Sequence, residues 1–460
     1  MSDIKFGTDG WRAVTDKDFN DKNVERATLA TAKYILDNFG PDKKVLIGFD
    51  PRNKADYFAN LAAKVFEKVG FQVYLSSKVV ATPVLAYSAK FQNACAVMFT
   101  ASHNPPEYLG MKFIPDYAGP ATNEITSEIV ANIDETFDFK EGGKIHLTSF
   151  NEDYINHIEK LIDIDKISQS GLKINYDALH GAAGLIFVEI LKKHNISVDA
   201  FDLDYDVNFG GKLPEPAERF LGELKEVCKK TGHIGFSNDG DGDRFALIDE
   251  SGSFTSANEV IAILLKHLKQ FKHFEGKLAK TVAGSRMLDI YAEKNGVEVV
   301  ETPVGFKWVG KAMRENDIII GGEESGGLSI KGHIPEKDGI LANLLIAEAI
   351  AYSGKTAVQL RKDIFTETGC KFINKRNDIK LQNDELVKAA LEKLNETDTF
   401  GKYKIVRKNR ADGIKLYLED NVTSILVRKS GTEPLLRVYF ESDSDDKIAE
   451  LIAFADKIVK

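Results

Sequence analysis

Residues 45–75, VLIGFDPRNKADYFANLAAKVFEKVGFQVYL, decide the architecture. The runs 45–49 and 71–75 are short and apolar, and between them Phe58, Leu61, Ala62, Val65, Phe66 and Val69 recur at helical spacing until Gly70 stops the helix. Strand, helix, strand in this order implies a parallel or mixed sheet covered by helices. The apolar run 94–100 (ACAVMFT) adds a strand to this first unit. After a charged, turn-rich stretch ending near 150 the pattern starts again, with LKINY (172–176), the turn HGAAG (180–184), a helical LIFVEILKKH (185–194) and ISVDAF (196–201). GHIGFS (232–237) then feeds the acidic turn NDGDGDR (238–244), which leaves through FALID (245–249). That turn therefore connects two extended segments. A third unit follows: helical NEVIAILLKHLK (258–269), the strand candidates KLAKTVAG (277–284), VEVVE (297–301) and DIIIGG (317–322), and a closing helix over 338–352. Beyond 368 the alternating runs YKIVRK, GIKLYLE, TSILVR and LLRVYFE are separated by turns and followed by a helix at 443–459. Alternation of this kind marks an antiparallel sheet. The expected fold class is α/β, with three similar α/β domains containing mixed sheets (1–150, 151–253, 254–367) and a C-terminal α+β domain with an antiparallel sheet (368–460).

A chain of 460 residues, 43% apolar and 28% charged, has an ordinary soluble balance and can bury large cores. Its 61 basic and 70 acidic residues give a net charge of −9, which argues against nucleic acid as a partner. Any anion site must be locally basic. The longest apolar runs, such as VIAILL (260–265), stop far short of the roughly 18 residues that cross a bilayer, and the N-terminal residues carry no apolar signal region. No membrane partner and a cytoplasmic location are expected. Cys95, Cys228 and Cys370 are too dispersed for a metal knuckle and too few for a disulfide framework, so they read as buried thiols.

Four stretches can carry chemistry. In Asp239-Gly240-Asp241-Gly242-Asp243-Arg244, three carboxylates at alternate positions can turn inward on one small hard cation, because the glycines let the backbone fold tightly; magnesium is the natural guest. A calcium-loop reading aligns Asp239, Asp241, Asp243 and Glu250, but Arg244 occupies the required glycine position and the flanks are strand-like. In Thr100-Ala101-Ser102-His103-Asn104-Pro105, a serine at a strand end has imidazole and amide donors beside it. In Gly322-Glu323-Glu324-Ser325-Gly326-Gly327, carboxylate and hydroxyl on a glycine-rich loop suit vicinal sugar hydroxyls. In Arg428-Lys429-Ser430-Gly431-Thr432-Glu433-Pro434, trailed by Arg437, basic groups and hydroxyls around a glycine make an anion nest. No GxSxG elbow and no GxxxxGK[ST] loop occurs, which disfavours an α/β-hydrolase or a P-loop NTPase.

Taken in order, TASHNP (100–105), DGDGDR (239–244), GEESGG (322–327) and RKSGTEP (428–434), with FGTDGWR (6–12) at the start, resemble the motifs of the α-D-phosphohexomutase superfamily, the phosphoglucomutase/phosphomannomutase enzymes. The resemblance covers essentially the whole chain. It implies four domains around one cleft, contributing in turn a phosphoserine, a metal loop, a sugar loop and a phosphate loop. It also implies a phosphate on Ser102, with Mg²⁺ held by Asp239, Asp241, Asp243 and a phosphoserine oxygen of Ser102. The implied reaction interconverts hexose 1- and 6-phosphates through glucose 1,6-bisphosphate, which serves as intermediate and activator and reorients in the cleft. Arg12, Lys112 and Arg244 match basic positions near the serine. Lys112 is the expected proton carrier, with His103, next to Ser102 in the serine loop, as the alternative or as a donor to the phosphoserine, and Asn104 as its support. Where dual-specificity members read GEMSGH, this chain has Gly327, which looks more like glucose-preferring members and makes His333 the candidate replacement imidazole. TPVGFK (302–307) resembles a further sugar-facing segment, with Gly305, Lys307 and Arg286 as contacts beside Glu323 and Ser325. Arg428, Ser430, Gly431, Thr432 and Arg437 are the expected phosphate grip. The expected partner is a small sugar phosphate, and the protein a monomer or homodimer. Phosphomannomutase, phosphopentomutase and phosphoglucosamine mutase are alternatives within the family, and a Mg²⁺-dependent sugar-phosphate phosphatase lies outside it.

Overall fold

The computed structural model describes residues 4–7, 10–139, 141–429 and 435–459. The quoted stretch 45–75 forms the strand Val45–Phe49, the helix Ala55–Val69 and the strand Gln72–Ser76, the two strands being parallel. The helix buries Phe58, Ala62, Phe66 and Val69 on one face and ends at Gly70, whose φ of 110° is a left-handed geometry that glycine adopts without Cβ strain. Around this unit a seven-stranded mixed sheet runs in the order 6–7, 10–14, 108–114, 95–99, 45–49, 72–76, 144–148.

A five-stranded sheet follows, with Ile234–Asn238 parallel to Lys173–Asp177 on one side and antiparallel to Phe245–Ile248 on the other. The acidic turn thus joins two adjacent strands at one end of this sheet. The third sheet has four strands, and Ile318–Gly322 lies between its parallel neighbour Lys277–Thr281 and the antiparallel Leu328–Ile330. The fourth has six strands, all antiparallel, from Ile373–Lys380 at one edge through Leu435–Ser442, Ser424–Lys429, Ile414–Leu418 and Tyr403–Asn409 to Thr399–Phe400. The expected three-plus-one class is what forms.

One apolar cluster runs through the first three modules, uniting Val84 and Leu85, Phe187 and Ile234, and Ile261 and Leu344. The helix Gly339–Ser353 is apolar on every side and lies inside this cluster, as a helix without a polar face must. The C-terminal sheet has a separate core that includes Leu416, Ile425, Phe440 and Ile448. Cys95 and Cys228 are buried thiols, whereas Cys370 is partly exposed. Among the described residues no helix is long and apolar enough to cross a membrane.

Leu344 is fully buried in the shared core and Leu147 is 72% exposed on the edge strand Lys144–Thr148. Leu344→Ala should destabilise the protein by about 2–5 kcal/mol, read as a lower urea midpoint, and Leu147→Ala by no more than about 0.5 kcal/mol. Equal losses would contradict a common core built on the helix Gly339–Ser353.

Candidate active site

The buried strand Cys95–Phe99 delivers Ser102 to a turn in which its φ is 53°. A non-glycine residue enters that region only where its surroundings impose it. The Ser102 N–H donates to Thr100 Oγ1 at 2.8 Å, and Ser102 Oγ donates to Asp239 Oδ2 at 2.9 Å. Asp239 belongs to a different module, so two sheets meet at one hydroxyl. His103 Nδ1 lies 3.4 Å from Ser102 Oγ. Burial, reinforced by Arg244 and Arg12, holds the His103 imidazole far below its usual range, at about 2, so the ring is neutral. Arg12 sits on the strand Gly10–Val14, directly paired with the strand that carries Lys112, and its Nη1 donates to Asn104 Oδ1 at 2.8 Å.

Asp239, Asp241 and Asp243 are completely buried, and a ligand oxygen from each lies within 4.8 Å of the others. Gly242 has φ 78°, and a Cβ on Gly240 would stand 2.7 Å from the Ser102 carbonyl, so the two glycines allow the turn and its approach to the serine. Lys112 Nζ donates to Asp241 Oδ2 at 3.0 Å and to Asp243 Oδ2 at 3.1 Å, and Thr82 Oγ1 donates to Asp241 Oδ2 at 2.7 Å. Lys337 Nζ pairs with Asp243 Oδ2 at 2.9 Å. Asp239 Oδ1 accepts from the Arg244 N–H at 3.0 Å. Burial first, then Asp243 and Asp241, push the Asp239 carboxyl well above the usual carboxylate range. Asp241 Oδ1 is buried without a hydrogen-bond partner. An orphan carboxylate oxygen inside a tight, all-oxygen acidic cluster fits a small hard divalent cation, which would satisfy the oxygen and relieve the repulsion. The triad can hold a metal.

The loop after the strand Ile318–Gly322 returns through Leu328–Ile330. Glu323 Oε1 accepts from the Gly305 N–H at 3.1 Å, and burial pushes the carboxyl up to about 7 against the opposing pull of Lys337. Glu324 Oε2 accepts from Thr281 Oγ1 at 2.8 Å, and Ser325 is exposed. A Cβ on Gly327 would come within 2.5 Å of Lys337 Cδ. The bare position 327 is therefore filled by the stem of Lys337. Lys307 Nζ donates to Asn123 Oδ1 at 2.6 Å and joins the third module to the first.

Two expected contacts lie elsewhere. Both ring nitrogens of His333 are engaged, Nε2 with Asp338 Oδ2 at 2.9 Å and Nδ1 with His157 Nε2 at 3.0 Å, and its side chain has no exposed surface. It fastens the 332–339 loop and cannot replace an imidazole at 327. Arg286 turns away from the sugar loop into the junction with the fourth module, where its Nε donates to the Asn421 carbonyl at 3.1 Å and Nη1 pairs with Asp289 at 3.3 Å.

Arg428 and Arg437 stand directly opposite each other on adjacent antiparallel strands, where like charges repel. Both Nε groups are buried without a hydrogen-bond partner, although Arg428 Nη2 donates to Asp412 Oδ2 at 2.5 Å. Asp412 Oδ2 also accepts from the Val304 N–H at 3.1 Å, which ties this arginine pair to the 302–307 segment. Ser430, Gly431 and Thr432 lie outside the described residues. The reading of the sequence passed over Lys337 and Thr82. For Lys337 the only signal was its place in GHIPEKDG (332–339), and for Thr82 there was none.

Comparison with known proteins agrees with this arrangement. Four domain models match in order, each described as phosphoglucomutase/phosphomannomutase: alpha/beta/alpha domain I at residues 3–139, domain II at 152–252, domain III at 256–368 and the C-terminal domain at 376–458. A phosphoglucomutase/phosphomannomutase of Thermococcus kodakarensis is 28% identical over 99% of this chain and 98% of its own. A phosphoglucosamine mutase of Clostridium botulinum strain 657 is 30% identical over 99% of this chain and 98% of its own. A crystal structure from Thermus thermophilus, assigned to a phosphomannomutase, superposes with a TM-score of 0.87 at 28% identity, covering 100% of this chain and 99% of that one. With a serine, an acidic triad, the Glu323–Glu324 loop and an arginine pair each drawn from a different matched domain, the chain belongs to the phosphoglucomutase/phosphomannomutase family and is an enzyme of intramolecular phosphoryl transfer.

Proposed function

We propose that the protein interconverts hexose 1-phosphate and hexose 6-phosphate, with glucose as the sugar, through a phosphate carried on Ser102. The observation that carries this reading is the 2.9 Å contact between Ser102 Oγ and the buried acidic triad. A group carried on that hydroxyl would lie beside a cation held by the triad, where its negative charge is neutralised. Asp239, Asp241, Asp243 and an oxygen on Ser102 would hold Mg²⁺, which supplies charge neutralisation and polarisation of the phosphoryl group.

In the first half-reaction the Ser102 Oγ–P bond breaks as a sugar hydroxyl oxygen bonds to phosphorus, and the hydroxyl proton passes to a base. Lys112 is that base in our reading, once the ammonium that donates to Asp241 and Asp243 has released a proton to solvent as those carboxylates turn to the cation. Glu323, poised near 7, is placed to exchange a proton on the sugar side. Arg12, Arg244 and His103 orient the phosphoserine, while Glu323, Ser325, Gly305 and Lys307 bind the sugar. Arg428 and Arg437, with Ser430, Gly431 and Thr432, grip the phosphate that is not reacting. The 1,6-bisphosphate then turns over, its other phosphate returns to Ser102 Oγ, and the released sugar oxygen regains a proton. The four modules divide this work near residues 150, 253 and 367. The absence of a histidine at 327 supports glucose, while the Clostridium botulinum relative favours glucosamine phosphate as a second reading.

Ser102→Ala should abolish the single added phosphate in the intact mass and lower mutase activity by several orders of magnitude; near-normal turnover would sink the serine assignment. Asp241→Asn removes one charge at constant shape. It should need at least about tenfold more Mg²⁺ for half-maximal activity, since one lost charge-assisted contact is worth about 1.5–3 kcal/mol. An unchanged requirement would remove Asp241 from the metal site. kcat/KM for glucose 1-phosphate should exceed that for mannose 1-phosphate and glucosamine 1-phosphate in a coupled assay, and the reverse order would reassign the sugar.

A further inference from the structure

The serine loop rests on a buried ion pair that the chemistry above leaves unused. Asp50 and Arg52 follow the strand Val45–Phe49, expose none of their side chains and pair at 3.2 Å between Arg52 Nε and Asp50 Oδ2. Asp50 Oδ2 accepts from Thr100 Oγ1 at 2.6 Å, and Thr100 Oγ1 in turn accepts the Ser102 N–H at 2.8 Å. Arg52 Nη2 donates to the Ser102 carbonyl at 2.6 Å and the Asn104 carbonyl at 2.7 Å. Its Nη1 donates to the Pro105 carbonyl at 2.9 Å and the Tyr108 carbonyl at 3.0 Å. The guanidinium also lies 4.9 Å from the centre of the Phe209 ring, which belongs to the second module.

One buried pair thus holds Ser102 at both backbone ends, its N–H through Thr100 and its C=O directly. That is what a left-handed serine needs, since nothing local favours φ 53° at a residue with a Cβ. The enclosed guanidinium satisfies four carbonyl oxygens of the serine loop at once and so fixes the course of its backbone. The same Ser102 carbonyl is the atom that a Cβ on Gly240 would strike at 2.7 Å, so a shift of it toward Gly240 runs into the acidic turn. We propose that Arg52, locked by Asp50, is a positioning residue for phosphoryl transfer, which sets the left-handed backbone of Ser102 and so aims its Oγ at the acidic triad. The inference rests on Ser102 being the phosphoryl carrier. Lysine cannot take the place of Arg52, because a point charge lacks the planar fork that reaches several carbonyls at once.

The test uses the full-length protein, charged on Ser102 with ³²P-labelled glucose 1,6-bisphosphate and then mixed with unlabelled glucose 1-phosphate, with transfer of label from protein to sugar phosphate followed by rapid quench, because the serine is rephosphorylated in each cycle. Arg52→Lys should lower the rate constant per phosphoserine about 10- to 100-fold, as expected when a reacting oxygen is displaced by a fraction of an ångström to an ångström, with KM for glucose 1-phosphate within about threefold of the wild type. Thr100→Val, which keeps shape but cuts the link to the Ser102 N–H, should lower it by about three- to tenfold. A merely structural role would reduce the unfolding midpoint and the amount of protein that accepts phosphate, but leave the rate constant per phosphoserine unchanged. Both variants within twofold of the wild type would overturn the proposal. If Arg52→Lys accepts no phosphate, Thr100→Val decides. A wild type that takes no phosphate on Ser102 would remove the serine assignment itself, and the positioning role with it.

Discussion

Three fully buried carboxylates, a ligand oxygen of each within 4.8 Å of the others, repel one another strongly unless positive charge is brought to them. The surrounding fold is organised around that constraint. Lys112 comes from the first module, Lys337 from the third, and Arg244 from the end of the acidic turn itself. A metal ion held by the triad would complete the compensation. The cations gathered at this place, with a metal ion added, would suit a phosphoryl group, which carries its own negative charge and needs cations from several directions.

The packing follows from where those charges must meet. Lys112, the acidic triad and Lys337 lie in three modules, and a shared apolar cluster fixes those three relative to one another. The fourth module is attached differently. Its junction with the third is a buried polar network in which Lys280 pairs with Asp289 at 2.9 Å, Lys415 donates to the Gly284 carbonyl at 2.8 Å and Tyr417 donates to Glu301 at 2.7 Å. Burial and the neighbouring Lys280 hold the Lys415 ammonium down, at about 8, while Lys280, Lys415 and two hydrogen bonds outweigh burial to keep Glu301 ionised, at about 2. Directional contacts of this kind fix one docked geometry more sharply than apolar contact does, and they cost more to bury.

Much of this was legible in the sequence because each site loop follows a strongly patterned strand. The runs 94–100, 234–238 and 317–322 announce themselves by apolar content, and the motif at the end of each falls where the chain leaves the sheet. What was illegible lacked a pattern to read. Lys144–Thr148 is an edge strand with its leucine in solvent, and Ile373–Lys380 buries only Ile379, so neither shows alternation. The role of His333 depended on which side of a loop an imidazole faces, which spacing does not encode. Lys337 fills the space vacated by a glycine ten positions earlier, a compensation visible only in three dimensions. Asp50 and Arg52 sit in a turn whose carbonyl partners arrive from some fifty residues away.

The central claim is that phosphate passes from Ser102 to the sugar and never to water. Protein carrying ³²P on Ser102, mixed with unlabelled glucose 1-phosphate and quenched within one turnover, measures this directly. The account predicts that the label appears in glucose 1,6-bisphosphate and glucose 6-phosphate. Release of the label as inorganic phosphate at the rate of turnover would contradict it and make the protein a phosphatase.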